Sequence, residues 1–297
     1  MYNPQLETFL RVADAGSFNK AAEAAYITPT AIIKQINLLE ADLDVKLFER
    51  THRGLKLTKA GISLYNDTKY IIQYCRDSVI RAKNAMQEDT NVIRIGISPI
   101  TPAQILVELW PKIHAICPEI KFQLIPFENT PENAREILAN LGQNIDVVAG
   151  IFDESMFGIR QCAGFEISRE PLCCAVSVQH RLAEKTKLKV QDLYGENLML
   201  IHRGWSQLVD RLRDDIWEKH SRINIVDFDF YDVGVFNRCE SSNDILMAVR
   251  TWMSVHPLLK IIPVEWEHEI PYGLLHSQTP TPNVQRFLDA LRQVINT

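Results

Sequence analysis

Several features are missing from this 297-residue chain, and each absence narrows what it can be. No run of apolar residues is long enough to span a bilayer, so no membrane partner is expected. The first ten residues, MYNPQLETFL, carry neither the basic flank nor the apolar core of a secretory signal, which leads to the expectation of a cytoplasmic protein. GxSxG, HExxH, Walker-loop and GxGxxG patterns do not occur. Paired acids do occur, at Asp214-Asp215 and in EWEHE (265–269), but on a predicted helix and an edge segment with no glycine-rich phosphate loop nearby. No nucleophile stands with a base, so a protein that is not an enzyme and uses no cofactor is expected. The eight histidines include no i, i+4 pair, and the six cysteines (75, 117, 162, 173, 174 and 239) form no CxxC or metal-ligand spacing. No metal site is expected, and the thiols should be reduced. Vicinal Cys173-Cys174 lies in EPLCCAVSV, which reads as a buried strand and admits either core packing or redox sensing.

What is present is unevenly distributed. The net charge of −5 divides into 12 Lys+Arg against 10 Asp+Glu over residues 1–88 and 20 against 27 beyond. Within 46–59, Lys46, Arg50, Arg53, Lys56 and Lys59 meet only Glu49, as suits a small module that contacts polyanions. Two helix starts lie close together just upstream. Ser17 follows Gly16 and precedes FNKAAEAA, and Thr28 precedes Pro29 at the first helical position, where a missing N–H costs nothing. The second helix carries an apolar stripe of Ile32, Ile36, Leu39 and Leu43, with Thr30, Ile33, Lys34 and Asn37 on the other side. A preceding helix, PQLETFLRVADA, turns Leu6, Phe9, Leu10 and Ala13 inward, and VKLFERTHRGLKLT follows as two β-like arms around THRG. This is the order of a winged helix-turn-helix, whose second helix enters the DNA major groove while the basic wing meets phosphate. A three-helix bundle that docks on a protein has the same signals.

The segments LETFLRVADAGSFNKAAE, LLEADLDVKLFER and LTKAG, in this order and spacing, resemble the N-terminal domain of LysR-type transcriptional regulators over Leu6–Gly61. The resemblance implies a sequence-specific regulator that binds double-stranded DNA, with Ser17, Thr28, Pro29, Thr30, Ile33, Lys34, Arg50 and Arg53 as its DNA-contacting residues. Where the family's reading helix usually begins Ser-Gln-Pro/Ser-Ala-x-Ser-Arg, this chain has Thr28 to Lys34 as TPTAIIK. Pro29 and Ile33 carry no side-chain hydrogen-bonding group, so readout should lean on Thr30, Lys34 and contact with thymine methyls.

Thr58 should cap a long helix reaching about Gln87, with Tyr65, Ile72, Val79 and Met86 repeating every seven residues and Thr68, Cys75 and Ala82 between them. Such a seam could dock on its own domain; the resemblance implies pairing with a second chain, as a homodimer or, through the later domain, a homotetramer. EDTNV (88–92) reads as a hinge. From Ile93, strands and helices alternate, which implies parallel sheets with helices on both faces. The fold class expected is α/β: winged helix-turn-helix over 1–58, linker helix over 59–88, and over 89–297 a two-lobed effector domain resembling periplasmic binding proteins. Its first lobe is expected at about 92–161 with 266–297, and its second at about 162–265.

Ligands of open α/β sheets sit at strand carboxyl ends, where helix N-termini offer free amides. Ser98, Thr101, Asn129 and Thr130 occupy such turns in the first lobe, and His202, Arg203 and Trp205 in the second. A polar or anionic small-molecule effector is the partner expected there. Thr101-Pro102 should start the helix that follows. One segment, VRTWMSVHPLLKIIPVEWEHEIPYG, departs from the family's glycine-rich turn and remodels the second lobe's edge. The competing reading is a soluble α/β ligand-binding or catalytic protein whose N-terminal helices bind a protein partner.

Overall fold

Glycine and threonine set the boundaries of the first helices. In the computed structural model, which describes residues 2–51, 54–85 and 91–296, α1 (Gln5–Ala15) ends at Gly16 in a left-handed conformation, φ 59°. After that turn, α2 (Phe18–Ala25) begins. Ser17 has the extended backbone of an N-cap, but its hydroxyl makes no capping bond, contrary to expectation. Thr28 does cap α3 (Pro29–Leu43), accepting from the Ala31 amide at 3.2 Å, with Pro29 at the first position. Ile32, Ile36 and Leu39 face inward as predicted, whereas Leu43, at the last turn, is 41% exposed. On α1 the inward residues are Leu6, Phe9 and Val12; Leu10 and Ala13 are only half-buried.

The wing is an antiparallel hairpin of β1 (Phe48–Thr51) and β2 (Gly54–Leu57), with Phe48 opposite Leu57 and Arg50 opposite Leu55. Its root is fixed by Glu40, a buried carboxylate on α3 that accepts from the Leu47 amide at 2.8 Å and the Phe48 amide at 3.3 Å and pairs with Lys46 at 2.6 Å. Burial pushes this carboxyl up, but Lys46 and the two amides together hold it below its ordinary value. Thr58 then caps α4 (Lys59–Ala85), accepting from the Gly61 amide at 3.0 Å. Gly61 is needed here: a Cβ on it would stand 2.2 Å from the Leu47 carbonyl oxygen, so the start of α4 lies directly on the chain entering the wing.

The long helix corrects the predicted dimer seam. Ile72 is 5% exposed and belongs to the core formed by Phe9, Val12, Ile32 and Leu39, with Tyr65 packed against that cluster. The Tyr65 hydroxyl also donates to Asp14. These two side chains are used within their own unit, because α4 lies along α1 and buries that stripe against it. Val79 is exposed, and Met86 lies outside the described residues. A different face of α4 carries exposed Tyr70, Ile71 and Tyr74, with the two tyrosine rings stacked 6.0 Å apart.

The chain divides into two compact units, one holding the described residues up to 85 and the other those from 91. The second has two lobes. In the first, β3 (Val92–Ile97), α5 (Gln104–Ile116), β4 (Lys121–Pro126), α6 (Pro131–Ala139) and β5 (Val147–Ile151) follow the predicted alternation. A four-residue helix, α7 (Phe157–Arg160), then leads into β6 (Cys162–Pro171). The second lobe holds β7 (Cys173–Ser177), β8 (Asn197–Ile201), α8 (Gln207–Lys219), β9 (Asn224–Phe228), α9 (Val233–Ser242), β10 (Ile245–Ala248) and β11 (Leu259–Pro263). The chain returns through β12 (Glu269–Ser277) and α10 (Pro282–Ile295).

The sheet orders are β4-β3-β5-β12-β6 and β11-β7-β10-β8-β9. Neither sheet is purely parallel, as the alternation had implied: β12 runs antiparallel to β5 and β6, and β7 antiparallel to β10 and β11. Since β6 pairs along its length with β12 in the first lobe, the chain crosses to the second lobe at Leu172, not near 162. Two antiparallel strands therefore carry the chain out and back.

An Ile72→Asp substitution places a charge in the core of the first unit and should lower its stability by more than about 2 kcal/mol, the low end for emptying a buried aliphatic site. Thermal unfolding followed by circular dichroism checks this; an unchanged midpoint would mean that α4 does not pack on α1 in solution.

Candidate functional site

Two regions concentrate the residues singled out from the sequence. In the first unit, α3 turns Thr28, Pro29, Thr30, Lys34 and Asn37 outward, with Ile33 half-buried beside them. Tyr26, which sequence reasoning passed over, stands 96% exposed in a left-handed conformation at the turn between α2 and α3. A tyrosine with positive φ is rare enough that only the turn's short length could have signalled it. Lys34, Lys56 and Lys59 are exposed and find no ion-pair partner among the described residues, while Lys46 is committed to Glu40. Arg53 lies outside the described residues, as does the side chain of Arg50. What is in view is a helix N-terminus with an exposed face of Thr28, Pro29, Thr30, Lys34 and Asn37, in which Lys34 has no ion-pair partner among the described residues.

In the second unit, a cavity of about 410 Å³ lies between the lobes. Of the seven residues expected there, Thr101, Asn129, His202 and Trp205 line it. Ser98, Thr130 and Arg203 do not, and each has a different structural role. The Ser98 hydroxyl is 2.8 Å from that of Thr101 and also accepts from the Thr101 amide, closing the turn after β3. Thr101 accordingly does not cap α5, whose N-cap is Ala103. Thr130 caps α6 by accepting from the Asn133 amide. Arg203 pairs with Asp214 on α8. Of the acids noted in the sequence, Asp214 is thus paired, and Asp215 meets Lys219 and His268.

The lobes meet through hydrogen bonds around this cavity. Asn129 Nδ2 donates to the Tyr231 carbonyl at 2.8 Å, and Trp252 Nε1 donates to the Ile100 carbonyl at 3.0 Å. Trp252 comes from the segment read as remodelled, so that edge supplies both a wall of the cavity and a tie across it. Asp153, buried just after β5, accepts from the Ser155 amide at 2.9 Å, from the Ser206 hydroxyl at 2.8 Å and from the Leu208 amide at 3.0 Å. Burial raises its carboxyl, but the amides of Ser155 and Leu208 and the Ser206 hydroxyl outweigh it and leave the group below its ordinary value.

The walls are more apolar than the sequence led one to expect. Phe127, Ile137, Leu138, Val148, Met156 and Leu275 make one side, and Trp205, Tyr231 and Trp252 the other. Arg135 and Asp229 are exposed and mark the mouth. Arg160 is the charged group set back from it, its guanidinium 5.3 Å from the centre of the Trp205 ring. No hydrogen-bond or ion-pair partner for that guanidinium is found among the described residues, and burial pushes its pKa down from the ordinary value. His202 Nδ1 lies 2.9 Å from the Arg203 carbonyl, which it meets as a donor.

The thiols decide the question left open at Cys173-Cys174. Burial pushes Cys173 up to about 11 and Cys239 up to about 12, and it raises Cys174, enclosed on all sides, well above the ordinary thiol value. Cys117 and Cys162 are also raised by burial. Cys162, Cys173, Cys174 and Cys239 are buried core residues, and all five of these thiols, half-buried Cys117 included, hold little thiolate at neutral pH.

The described chain therefore consists of a helix-turn-helix with a hairpin wing and a two-lobed α/β unit that encloses a cavity. The family described as bacterial regulatory helix-turn-helix protein, lysR family, matches residues 4–62, and the LysR substrate binding domain matches residues 86–296. The chain belongs to the LysR family. It is 28% identical over 172 residues to the nitrogen assimilation regulatory protein nac of Klebsiella aerogenes, covering 54% of this chain and 56% of that protein. It is 30% identical over 148 residues to the HTH-type transcriptional regulator ClcR of Pseudomonas putida, covering 50% and 49%. The chain thus spans about half the length of the curated relatives it matches. Among solved structures, that of CbnR, a LysR family transcriptional regulator, superposes with a TM-score of 0.58 at 21% identity over 99% of both chains, which shows the fold.

Asp153 generates a pH prediction. Its pKa is depressed in the folded state, so its contribution is present above the unfolded carboxyl value and is lost as pH falls through the lower, folded value. Asp153→Asn should therefore cost about 1–3 kcal/mol at neutral pH and flatten the acid side of the stability curve. Denaturant unfolding of the full chain from pH 7 down to pH 3 checks both; equal slopes for mutant and parent would remove Asp153 from the tie between lobes.

Proposed function

We propose that this chain is a sequence-specific DNA-binding transcription regulator whose DNA affinity responds to a small molecule bound in the interlobe cavity. The observation that carries the first half is the outward face of α3: exposed Thr30, Lys34 and Asn37, with half-buried Ile33 beside them, lie on a capped helix whose other side buries Ile32, Ile36 and Leu39 in the core. Lys34 and Thr30 supply hydrogen bonds to base edges, and Ile33 with Pro29 supplies apolar surface for thymine methyls. Arg50, Arg53, Lys56 and the Ser17 hydroxyl serve phosphate. The relatives named above are regulators, which supports the same reading.

The second half rests on the cavity. A ligand touching both walls favours the closed arrangement of the lobes, and only a difference in its affinity for the two arrangements can alter DNA binding. The chain works as a homo-oligomer, and we assign the pairing surface to the Tyr70, Ile71 and Tyr74 face of α4. Two reading heads would then meet a two-fold site.

A gel-shift titration against the DNA upstream of the chain's own gene tests the first half. Salt-sensitive binding is expected; no binding at low salt sinks the reading. Arg53→Ala should weaken binding on all sequences alike and flatten the salt dependence by about one unit of slope, whereas Lys34→Ala should change which site is preferred. The opposite assignment of effects would mean that α3 is not the reading helix. For assembly, Ile71→Glu with Tyr74→Glu should dissociate the oligomer in sedimentation velocity while leaving the unfolding midpoint within about 1 kcal/mol of the parent. Unaltered sedimentation would place the interface elsewhere.

A further inference from the structure

The cavity combines a largely apolar lining with Arg160, the arginine set back from the mouth, for which no hydrogen-bond or ion-pair partner is found among the described residues. An unpaired guanidinium set back from solvent is costly, and the cost is relieved when an anion arrives. Arg160 holds its position through α7 and the turn that ends it, where Gln161 adopts φ 54° before β6 begins. Trp205 lies against it from the other lobe, so the side chain is confined to the cavity. Its planar fork matches a carboxylate in two parallel hydrogen bonds. Arg135 and Asp229 at the mouth offset each other in formal charge, so with Arg160 the charged groups of the lining sum to a single positive charge and suit one negative charge. Around them Ile137, Leu138, Met156 and Leu275 form an apolar wall that suits a hydrocarbon body, while the polar lining groups Thr101, Asn129 and His202 lie elsewhere on the cavity.

We propose that the ligand of this cavity is an organic monocarboxylate with an apolar body, its acid group paired with Arg160 and its body lying against Ile137, Leu138, Met156 and Leu275. The assignment deepens the effector reading and rests on it. It also revises the sequence-based expectation, from a polar metabolite whose charge is met by helix amides to an amphipathic acid whose charge is met by one side chain.

The probes are phenylacetate and hexanoate, their neutral amides phenylacetamide and hexanamide, and succinate as a short dianion. Trp205 and Trp252 line the cavity, so tryptophan fluorescence of the full chain reports occupancy, with calorimetry as the second readout. Both monocarboxylates should bind roughly tenfold or more tightly than their amides, the size of one charge-assisted interaction. Arg160→Gln should remove that preference while leaving amide binding intact, which also shows that the variant is folded. Ile137→Trp, which fills the apolar side, should abolish binding of acids and amides together. Equal affinity for acids and amides, a preference that survives Arg160→Gln, tighter binding of succinate, or no binding by any of the five would each overturn the proposal. Gel shifts with the same probes separate the two readings: an acid that binds through Arg160 without altering DNA affinity leaves the ligand class standing and removes the effector role.

Discussion

A single buried carboxylate organises the second unit. Asp153 stands where β5 ends, and its oxygens accept from its own turn at Ser155 and from the first turn of α8 at Ser206 and Leu208. A carboxylate at a helix N-terminus is favoured by the free amides and the helix dipole, and burial strengthens both. Because these donors belong to both lobes, this group fixes the distance between α7 and the His202–Trp205 turn. That distance sets the cavity: Arg160 and Trp205, on its two walls, lie within contact. The remaining ties, from Asn129 to Tyr231 and from Trp252 to Ile100, close the sides.

Such a joint suits switching better than strength. Each tie is a hydrogen bond worth about 1 kcal/mol net, and the two strands that connect the lobes, β6 and β12, are paired with one another within the first lobe. The lobes are thus linked by a narrow pair of strands, a few polar contacts and a patch of apolar packing, since Ile100, Ile151 and Tyr272 of the first lobe join the second lobe's core while each lobe keeps its own sheet. A ligand that adds contact to both walls competes on equal terms with the bonds already there.

Much of the architecture could be read from the sequence where local chemistry decides it. Thr28-Pro29, Thr130-Pro131 and Thr281-Pro282 all start helices, and strand–helix alternation marked both lobes. The same local chemistry misled about the site. A threonine before a helix proline serves as a cap or as a ligand contact, and no sequence pattern separates the two; Thr130 caps. Ser98 looked free at a strand end, but its hydroxyl is taken by Thr101, three residues on. Arg160 gave no signal because α7 is one turn long and has no periodicity. Trp252 sits in the segment that departs from the family's glycine-rich turn, so no family position pointed to it. On α4, a seven-residue repeat describes a stripe but not its partner, and Ile72 found its partner within its own unit.

Reciprocity between the two ligands offers the sharpest check. If a small molecule in the cavity alters DNA affinity by some factor, bound DNA must alter that molecule's affinity by the same factor. Phenylacetate affinity, followed by tryptophan fluorescence with and without saturating upstream DNA, should differ by the same ratio that phenylacetate produces in the DNA titration, within roughly 5- to 150-fold for such couplings. An identical phenylacetate affinity in the presence and absence of DNA would contradict any link between the cavity and the reading head.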